Sequence, residues 1–182
     1  MDRNKHAYFA GGCFWCTEAV YKRLKGVLKV VPGYCGGNLK NPTYNEVCSG
    51  LTGHAETVQV IYDSEKVSFK SLLEVFFKTH NPTTINRQGN DVGSHYRSIA
   101  FYSDGKEKKI IEKYIDKLNK HDIYPDDIVT QIIKFDTFYK AEKYHENYYE
   151  LNKNQPYCDL VITPKIRKFE QIFESKISEI KF

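Results

Sequence analysis

Residues 6–24 join a short apolar strand to a helix through two glycines, and this junction constrains the fold more than any other segment. Gly11 and Gly12 stand directly before the sequence Cys-Phe-Trp-Cys. Glycine allows the sharp backbone turn with which a strand passes into a helix. The sequence therefore predicts a strand–turn–helix unit of an α/β protein, with Cys13 and Cys16 near the start of the helix.

The spacing of these two cysteines indicates redox chemistry. Residues three apart on the first turn of a helix project to one side, so Cys13 and Cys16 can approach closely enough for a disulfide. We expect the backbone N–H groups and the helix dipole to lower the pKa of Cys13 and to favour its thiolate. Phe14 and Trp15 place two large aromatic rings beside this sulfur, which indicates an apolar pocket next to a reactive group.

The order of elements predicts the fold class. Further strands are expected at residues 27–34, 54–62 and 98–102, and a helix capped by Ser68 ends at Pro82. With the first unit this gives the order strand–helix–strand–strand–helix–strand. We expect an α/β (α+β) protein, a two-layer sandwich built on a ferredoxin-like split βαβ plait.

The second half is expected to extend this plait. Residues 106–120 and 139–151 are predicted as helices and residues 128–135 as a strand. A C-terminal helical extension is expected to begin at Thr163 as N-cap and Pro164 as first residue, with an apolar flank that continues to Ile180. The polar loop at residues 81–97 is long for a compact protein, and such loops usually carry function. No repeat or linker divides the chain, so residues 1–182 are predicted to form a single domain.

Charge and hydropathy exclude several classes of function. The 27 Lys and Arg residues are interspersed with 23 acidic ones, so we expect no nucleic-acid partner. The apolar run at residues 7–15 is too short for a signal segment, and no stretch approaches a membrane span, so a cytoplasmic protein without a membrane partner is expected. In a reducing compartment, a closely spaced cysteine pair favours catalysis or metal binding over a structural disulfide.

Longer strings extend the pattern over nearly the whole chain. They are Gly-Cys-Phe-Trp at 12–15, Asn-Pro-Thr-Tyr at 41–44, Glu-Val-Cys-Ser-Gly at 46–50, Thr-Gly-His-Ala-Glu at 52–56, Asn-Arg-Gln-Gly-Asn-Asp-Val-Gly at 86–93 and Tyr-Arg-Ser at 96–98. In these strings the chain resembles peptide methionine sulfoxide reductase A, a family that repairs oxidised methionine. Several ordered strings are far more specific than a single Cys-x-x-Cys motif.

The resemblance implies a reaction and its two main groups. Methionine-S-sulfoxide, free or in proteins, would be reduced to methionine, with selectivity for the S epimer. Cys13 would attack the sulfoxide sulfur and become a sulfenic acid. Glu56 would be the acid that activates the sulfoxide oxygen, and its place at the edge of the apolar face of a strand predicts a raised pKa.

The resemblance also implies roles for the side chains around these groups. Tyr44 and Tyr96 would supply two hydroxyls that hold the sulfoxide oxygen. Asp91 would be a carboxylate in the same polar network. Phe14 and Trp15 would enclose the methyl group of the substrate.

Two cysteines compete to resolve the sulfenic acid on Cys13. Cys16 needs only a side-chain rotation and some loosening of the first helical turn, and we favour it. Cys158, in a segment predicted to be ordered, could fold back over the site or accept a disulfide relayed from Cys16, and it stays open as the alternative. Cys35 and Cys48 are interpreted as small buried apolar residues. The expected reductant is thioredoxin, with no metal or organic cofactor, and the expected state is a monomer.

Two other classes of function fit parts of the sequence. A thiol–disulfide oxidoreductase of thioredoxin type also places Cys-x-x-Cys between a strand and a helix. Such a protein would not need Glu56 together with Tyr44 and Tyr96. A zinc-stabilised binding module would add a ligand such as His54 or His145 to the cysteine pair, but no second Cys-x-x-Cys completes the site.

Overall fold

The computed structural model describes residues 3–177. In chain order the helices and strands are β1 (Asn4–Ala10), α1 (Phe14–Tyr21), β2 (Val27–Cys35), α2 (Tyr44–Cys48), β3 (Ala55–Asp63), α3 (Phe69–Thr79), β4 (Arg87–Gln88), β5 (Asp91–Val92), β6 (Ile99–Tyr102), α4 (Gly105–Lys120), β7 (Gln131–Lys134), β8 (Phe138–Lys140), α5 (Tyr148–Leu151) and α6 (Thr163–Ile172). A π-helical turn, Cys158–Ile162, leads directly into α6.

A six-stranded sheet forms the centre of the molecule. Its strand order is β7-β6-β1-β3-β2-β8. All neighbouring pairs are antiparallel except β6 and β7, which are parallel. The four central strands, in the order β6-β1-β3-β2, are joined by α1 and α3 as a split βαβ plait. The predicted fold class is therefore confirmed.

The helices bury their apolar faces against one side of this sheet. α3 begins where the Ser68 hydroxyl accepts the N–H of Ser71 at 3.1 Å, which confirms the predicted cap. The core between the layers is rich in aromatic and aliphatic side chains, among them Phe9, Tyr21, Val58, Val60, Leu72, Leu73, Phe76, Phe77, Ile111 and Phe169. Burial of each such leucine or phenylalanine stabilises the folded state by about 1.5–3 kcal/mol. The sheet and the helices packed on it therefore form a stable scaffold that positions the loops at the sheet edge.

A smaller apolar cluster covers the opposite side of the sheet. There Tyr8 stacks on Phe135 with ring centroids 3.9 Å apart. Cys35 lies in this cluster and is buried, as predicted. Cys48 is half-exposed, so the prediction that it is buried is wrong: it ends the short helix α2, of which Val47 is the buried residue.

Residues 139–151 do not form the predicted helix. Instead β8 pairs with the edge of β2, with Lys140 opposite Gly33. A 3₁₀ turn, Lys143–His145, and the short helix α5 then follow. Asn147 separates them with a left-handed φ of 57°. Pairing with an open strand edge outweighs the helical preference of the segment, because it satisfies backbone groups of β2 that would otherwise face solvent.

The start of the last helix also differs from the prediction. Thr163 is not an N-cap, because the chain enters α6 from the preceding π-helical turn and the Thr163 hydroxyl donates to the carbonyl of Cys158 at 3.0 Å. Pro164 lies in the first turn, as expected. The helix ends at Ile172, Ile177 forms a bridge with Leu24, and Ile180 lies outside the described residues. Within residues 3–177, no helix combines the length and hydropathy needed to cross a membrane.

Candidate active site

The turn between β1 and α1 places the two cysteines at the start of the helix. Gly12 has a φ of 88°, and a Cβ at this position would lie 2.5 Å from the side chain of Gln88, so only glycine fits. Cys13 directly precedes α1, and its carbonyl accepts the N–H of Cys16 at 3.1 Å. Both side chains are buried, Cys13 at 5% and Cys16 at 2% exposure.

Burial controls the ionisation of this pair. Desolvation raises the pKa of the Cys13 thiol well above its ordinary value, and the nearby Cys16 and Glu56 add to this effect. The pKa of Cys16 is lowered to about 7, chiefly by its hydrogen bond with Cys13. The expectation that the pKa of Cys13 is lowered is therefore wrong, because desolvation by burial is the largest effect on this thiol and acts in the opposite direction.

Glu56 is a deeply buried carboxyl beside the first cysteine. It lies on β3 opposite Tyr34 and is 2% exposed. Its Oε2 accepts the N–H of Phe14, the residue directly after Cys13, at 2.9 Å. Burial raises the pKa of Glu56 to about 8, against the opposing effect of this hydrogen bond, and the negative charge of Asp91 adds to the shift. The predicted direction of the shift is confirmed, so Glu56 carries a proton at neutral pH.

Tyr44 and Tyr96 approach the carboxyl of Glu56 from two separate segments of the chain. Tyr44 begins α2, which is held by a capping box between Thr43 and Glu46. Tyr96 ends a 3₁₀ turn just before β6. Burial and the neighbouring Glu56 raise the pKa of both phenols, so both keep their protons and can donate hydrogen bonds.

Asp91 is connected to the cysteines through a tyrosine that the sequence analysis did not select. The Tyr157 hydroxyl donates to Oδ2 of Asp91 at 2.7 Å and lies 3.9 Å from Sγ of Cys16. Burial and the adjacent Cys13 and Cys16 raise the pKa of Tyr157. Tyr157 thus links the carboxylate on the hairpin of β4 and β5 to the two thiols.

Trp15 is held in a fixed orientation on two sides. Its indole N–H donates to Nδ1 of His145 at 3.1 Å. The ring of Tyr148 stacks on the indole with centroids 3.7 Å apart and planes 5° apart. Phe14 stacks on Tyr44 at 6.3 Å. These rings form an aromatic wall beside Cys13.

His145 and Glu142 connect this wall to α2. Because Nδ1 of His145 accepts the indole proton, its own proton is on Nε2, which faces Oε2 of Glu142 at 3.7 Å. Oε2 of Glu142 also accepts the hydroxyl of Tyr34 at 2.8 Å, and Oε1 accepts the N–H of Tyr44 at 2.8 Å. One carboxylate therefore ties together the start of α2, β2 and the wall around Trp15.

Cys158 shares an apolar cluster with the two cysteines of the motif. The cluster contains Cys13, Cys16 and Cys158 together with Tyr149, Ile162 and Ile166. Cys158 is fully buried. Both cysteines that compete to resolve the sulfenic acid thus lie in the same cluster as Cys13.

Neither histidine considered as a zinc ligand lies in a metal-binding cluster. His54 accepts the N–H of Gly37 and contacts the carbonyl of Leu39 instead, and His145 is engaged by Trp15. Among the described residues, no group of three or more His, Cys, Asp or Glu side chains is arranged to hold a metal ion.

Comparisons with known proteins show which family the chain is similar to. A family model described as peptide methionine sulfoxide reductase matches residues 5–177. The chain is 52% identical over 171 residues to a peptide methionine sulfoxide reductase MsrA of Saccharolobus solfataricus, covering 94% of this chain and 96% of that protein. The crystal structure of Mxr1 from Saccharomyces cerevisiae in reduced form superposes with a TM-score of 0.80 at 33% identity, covering 86% of this chain and 90% of that one. Mxr1 in complex with Trx2 aligns with a TM-score of 0.57 at 24% identity, over 80% and 85% of the two chains, and this likeness concerns the fold alone.

Proposed function

This chain belongs to the peptide methionine sulfoxide reductase family, and we propose that it reduces methionine-S-sulfoxide, free or in proteins, with Cys13 as the nucleophile. The observation that carries the proposal is the position of Glu56. Its proton-bearing carboxyl is bound to the N–H of Phe14, directly after Cys13. An acid is therefore held next to the sulfur that would attack.

The proposed first step transfers the sulfoxide oxygen to Cys13. The Cys13 sulfur attacks the sulfoxide sulfur while Glu56 gives its proton to the oxygen, and the proton of the thiol returns to the Glu56 carboxylate. The sulfur–oxygen bond of the substrate then breaks, which leaves Cys13 joined to the methionine sulfur as a sulfonium and releases hydroxide. The hydroxide attacks the Cys13 sulfur, the sulfur–sulfur bond breaks, methionine leaves, and Cys13 becomes a sulfenic acid. The substrate sulfur is reduced by two electrons and Cys13 is oxidised by two. Because burial holds Cys13 as a thiol, its ionisation must accompany this proton transfer.

The surrounding side chains are proposed to position the substrate for this step. Tyr44 and Tyr96 donate hydrogen bonds to the sulfoxide oxygen, and their raised pKa values keep them protonated. Asp91 holds the polar side of the site through Tyr157. Phe14 and Trp15 take the methyl group, supported by the stacked ring of Tyr148.

Cys16 is proposed to resolve the sulfenic acid. Its thiolate attacks the sulfur of Cys13, hydroxide leaves as water after protonation, and a disulfide forms. The contact between the two side chains supports this choice, because Cys16 is hydrogen-bonded to Cys13 and lies beside the sulfur that it would attack. Thioredoxin is the proposed reductant of the disulfide, since its dithiol supplies two electrons and two protons. Mxr1, a relative of this chain, has been crystallised in complex with Trx2.

Serine variants of Cys16 and Cys158 are expected to separate the two possible resolving cysteines. Cys16→Ser should release about one methionine per enzyme in a single turnover and then stop in a thioredoxin-coupled assay, because the sulfenic acid has no nearby thiolate. Cys158→Ser should retain at least about half of the coupled rate. Coupled NADPH oxidation and mass analysis of the disulfide are the measurements.

The opposite pattern would assign the resolving role to Cys158. If Cys16→Ser sustains coupled turnover and Cys158→Ser stops after one methionine, Cys16 is not the resolving residue. Loss of coupled turnover in both variants would indicate a relay from Cys16 to Cys158.

Separated epimers of methionine sulfoxide provide the direct test of the reaction. We expect turnover of the S epimer with a thioredoxin system and at least about 100-fold slower turnover of the R epimer, because Glu56 and the two tyrosines fix where the oxygen lies relative to the methyl pocket. Chromatographic measurement of methionine is sufficient. Failure to reduce the S epimer, together with rapid reduction of insulin disulfides, would favour a thioredoxin-type oxidoreductase instead.

We further propose that residues 1–182 form one reductase domain that acts as a monomer in the cytoplasm without a metal or organic cofactor. The family match across residues 5–177 supports the single domain. The proposed chemistry supports the part about cofactors, since each proton and electron comes from a side chain or from thioredoxin.

A further inference from the structure

Glu18 is a buried carboxyl that the proposed reaction does not use. It lies on α1, and its side chain is 2% exposed. Burial raises its pKa to about 7. Burying a carboxyl costs free energy unless it is hydrogen-bonded, so this position needs a structural or functional reason.

The partners of Glu18 lie at the start of α5. Oε1 of Glu18 accepts the backbone N–H of Asn147 at 2.9 Å, and the backbone N–H of Tyr148 is close enough to lower the pKa of the carboxyl. The side chain of Asn147 does not cap α5 itself and is bound by Lys22. Glu18 on α1 therefore binds the backbone N–H of the N-cap residue of α5, the group that the carboxylate of a capping box normally binds from within the same helix.

The segment held by Glu18 carries the residues that orient Trp15. His145 accepts the indole proton at 3.1 Å, and Tyr148 stacks on the indole ring at 3.7 Å. His145 lies two residues before Asn147, and Tyr148 lies directly after it. A shift of this backbone would therefore move both contacts of Trp15 at once.

We propose that Glu18 is a positioning residue for the substrate pocket. By binding the backbone N–H of Asn147, it holds His145 and Tyr148 against Trp15 and thereby sets the shape of the methyl-binding side of the site. The inference rests on the proposed function, since it assumes that Trp15 contacts the substrate. Glu18 acts through this wall and does not take part in the chemistry.

Trp15 is the single tryptophan of the chain, so its fluorescence and its indole N–H signal in NMR report on the wall directly. Glu18→Met keeps a long side chain but removes the acceptor oxygens. We expect it to shift the tryptophan emission and the indole signal, and to raise KM for methionine-S-sulfoxide about fivefold, as for a lost helix cap, with kcat within about twofold. Glu18→Gln keeps an acceptor oxygen and should restore both readouts.

Asp104→Asn provides the matched control. Asp104 is also a capping carboxylate, which accepts the N–H groups of Lys106 and Glu107 at the start of α4, outside the site. Its variant should leave the emission and KM unchanged. A folded Glu18→Met protein with wild-type emission and wild-type KM would overturn the proposal, even if the enzyme is an active reductase. If the wild type lacks reductase activity, the proposed function fails, whereas the emission of Glu18→Met still decides whether Glu18 holds the wall.

A titration keeps the proposal testable if Glu18→Met does not fold. The charged groups that face Glu18 are Lys22 directly after α1, Lys29 on β2 and Glu146 before α5, which line the same cavity of about 190 Å³. We expect the indole signal of the wild type to shift with an apparent pKa of about 7. Glu18→Gln should lose this titration. If the indole signal titrates identically in both proteins, the titrating group is not Glu18 and is instead a group such as His145, which contacts the indole directly. That result would overturn the proposal.

Discussion

Cys13→Ser is expected to lower methionine release by at least about 10⁴-fold, because the attacking sulfur is lost and a hydroxyl in the same place is a far weaker nucleophile. The measurement is a single turnover of pre-reduced enzyme with methionine-S-sulfoxide, in which no recycling step intervenes. Mass analysis should show a sulfenic acid or its disulfide in the wild type and neither in the variant.

The rival nucleophile in this experiment is Cys16, whose pKa is the lower of the two. If Cys16 attacked the substrate, Cys13→Ser would release a full equivalent of methionine and Cys16→Ser would release none. Cys35→Ala is a suitable control, because Cys35 lies in the cluster on the other side of the sheet and should not affect the rate. The hydrogen bond from Phe14 to Glu56 favours Cys13, since it places the acid next to that residue.

The plait could be predicted because its signals are local. The alternation of apolar and polar side chains along residues 54–62 predicted a strand close to β3, and Ser68 predicted the start of α3. Each signal depends on neighbours in the chain and on a helix or strand period. The order of these elements then limited the topology to few choices.

Residues 139–151 could not be predicted in this way. Their tyrosines, histidine and glutamates suit a helix by composition. The edge of β2 is available to pair with β8, however, and the left-handed Asn147 divides the rest. These are tertiary effects that leave no period in the sequence.

The same limit applies to the site. Cys13, Phe14, Trp15 and Glu56 could be selected from short strings and from their position on a strand or helix. His145 lies 130 residues from the indole that it binds, and Tyr157 lies 66 residues from Asp91. Tyr157 directly precedes Cys158, which had been selected as a possible resolving cysteine. This adjacency was the only signal in the sequence that pointed to Tyr157. Its contact with the Asp91 carboxylate depends on the π-helical turn that brings residues 157–162 back over α1.

Glu56→Gln is expected to lower kcat about 10²- to 10⁴-fold while KM changes little. Glutamine keeps the size of the side chain and an oxygen that can accept the N–H of Phe14, so the pocket should persist. Its amide can donate a hydrogen bond to the sulfoxide oxygen but cannot transfer a proton. Steady-state kinetics with methionine-S-sulfoxide measures the two parameters, and Glu65→Gln in the exposed turn after β3 is the control.

The pH dependence gives this variant a second, independent signature. The folded-state pKa of Glu56 is raised from 4.5 to about 8, so its acid form is present below pH 8 and is lost as the pH rises through that value. The wild-type rate should therefore fall above pH 8, and Glu56→Gln should lack this decrease.

By linkage, the wild type should also lose stability between pH 4.5 and 8, because ionisation of a buried carboxyl disfavours the folded state. In urea unfolding Glu56→Gln should be the more stable protein at pH 9, with the two converging near pH 4.5. An unchanged kcat with an unchanged alkaline limb would remove Glu56 from the role of acid and leave the phenols of Tyr44 and Tyr96 as the proton donors.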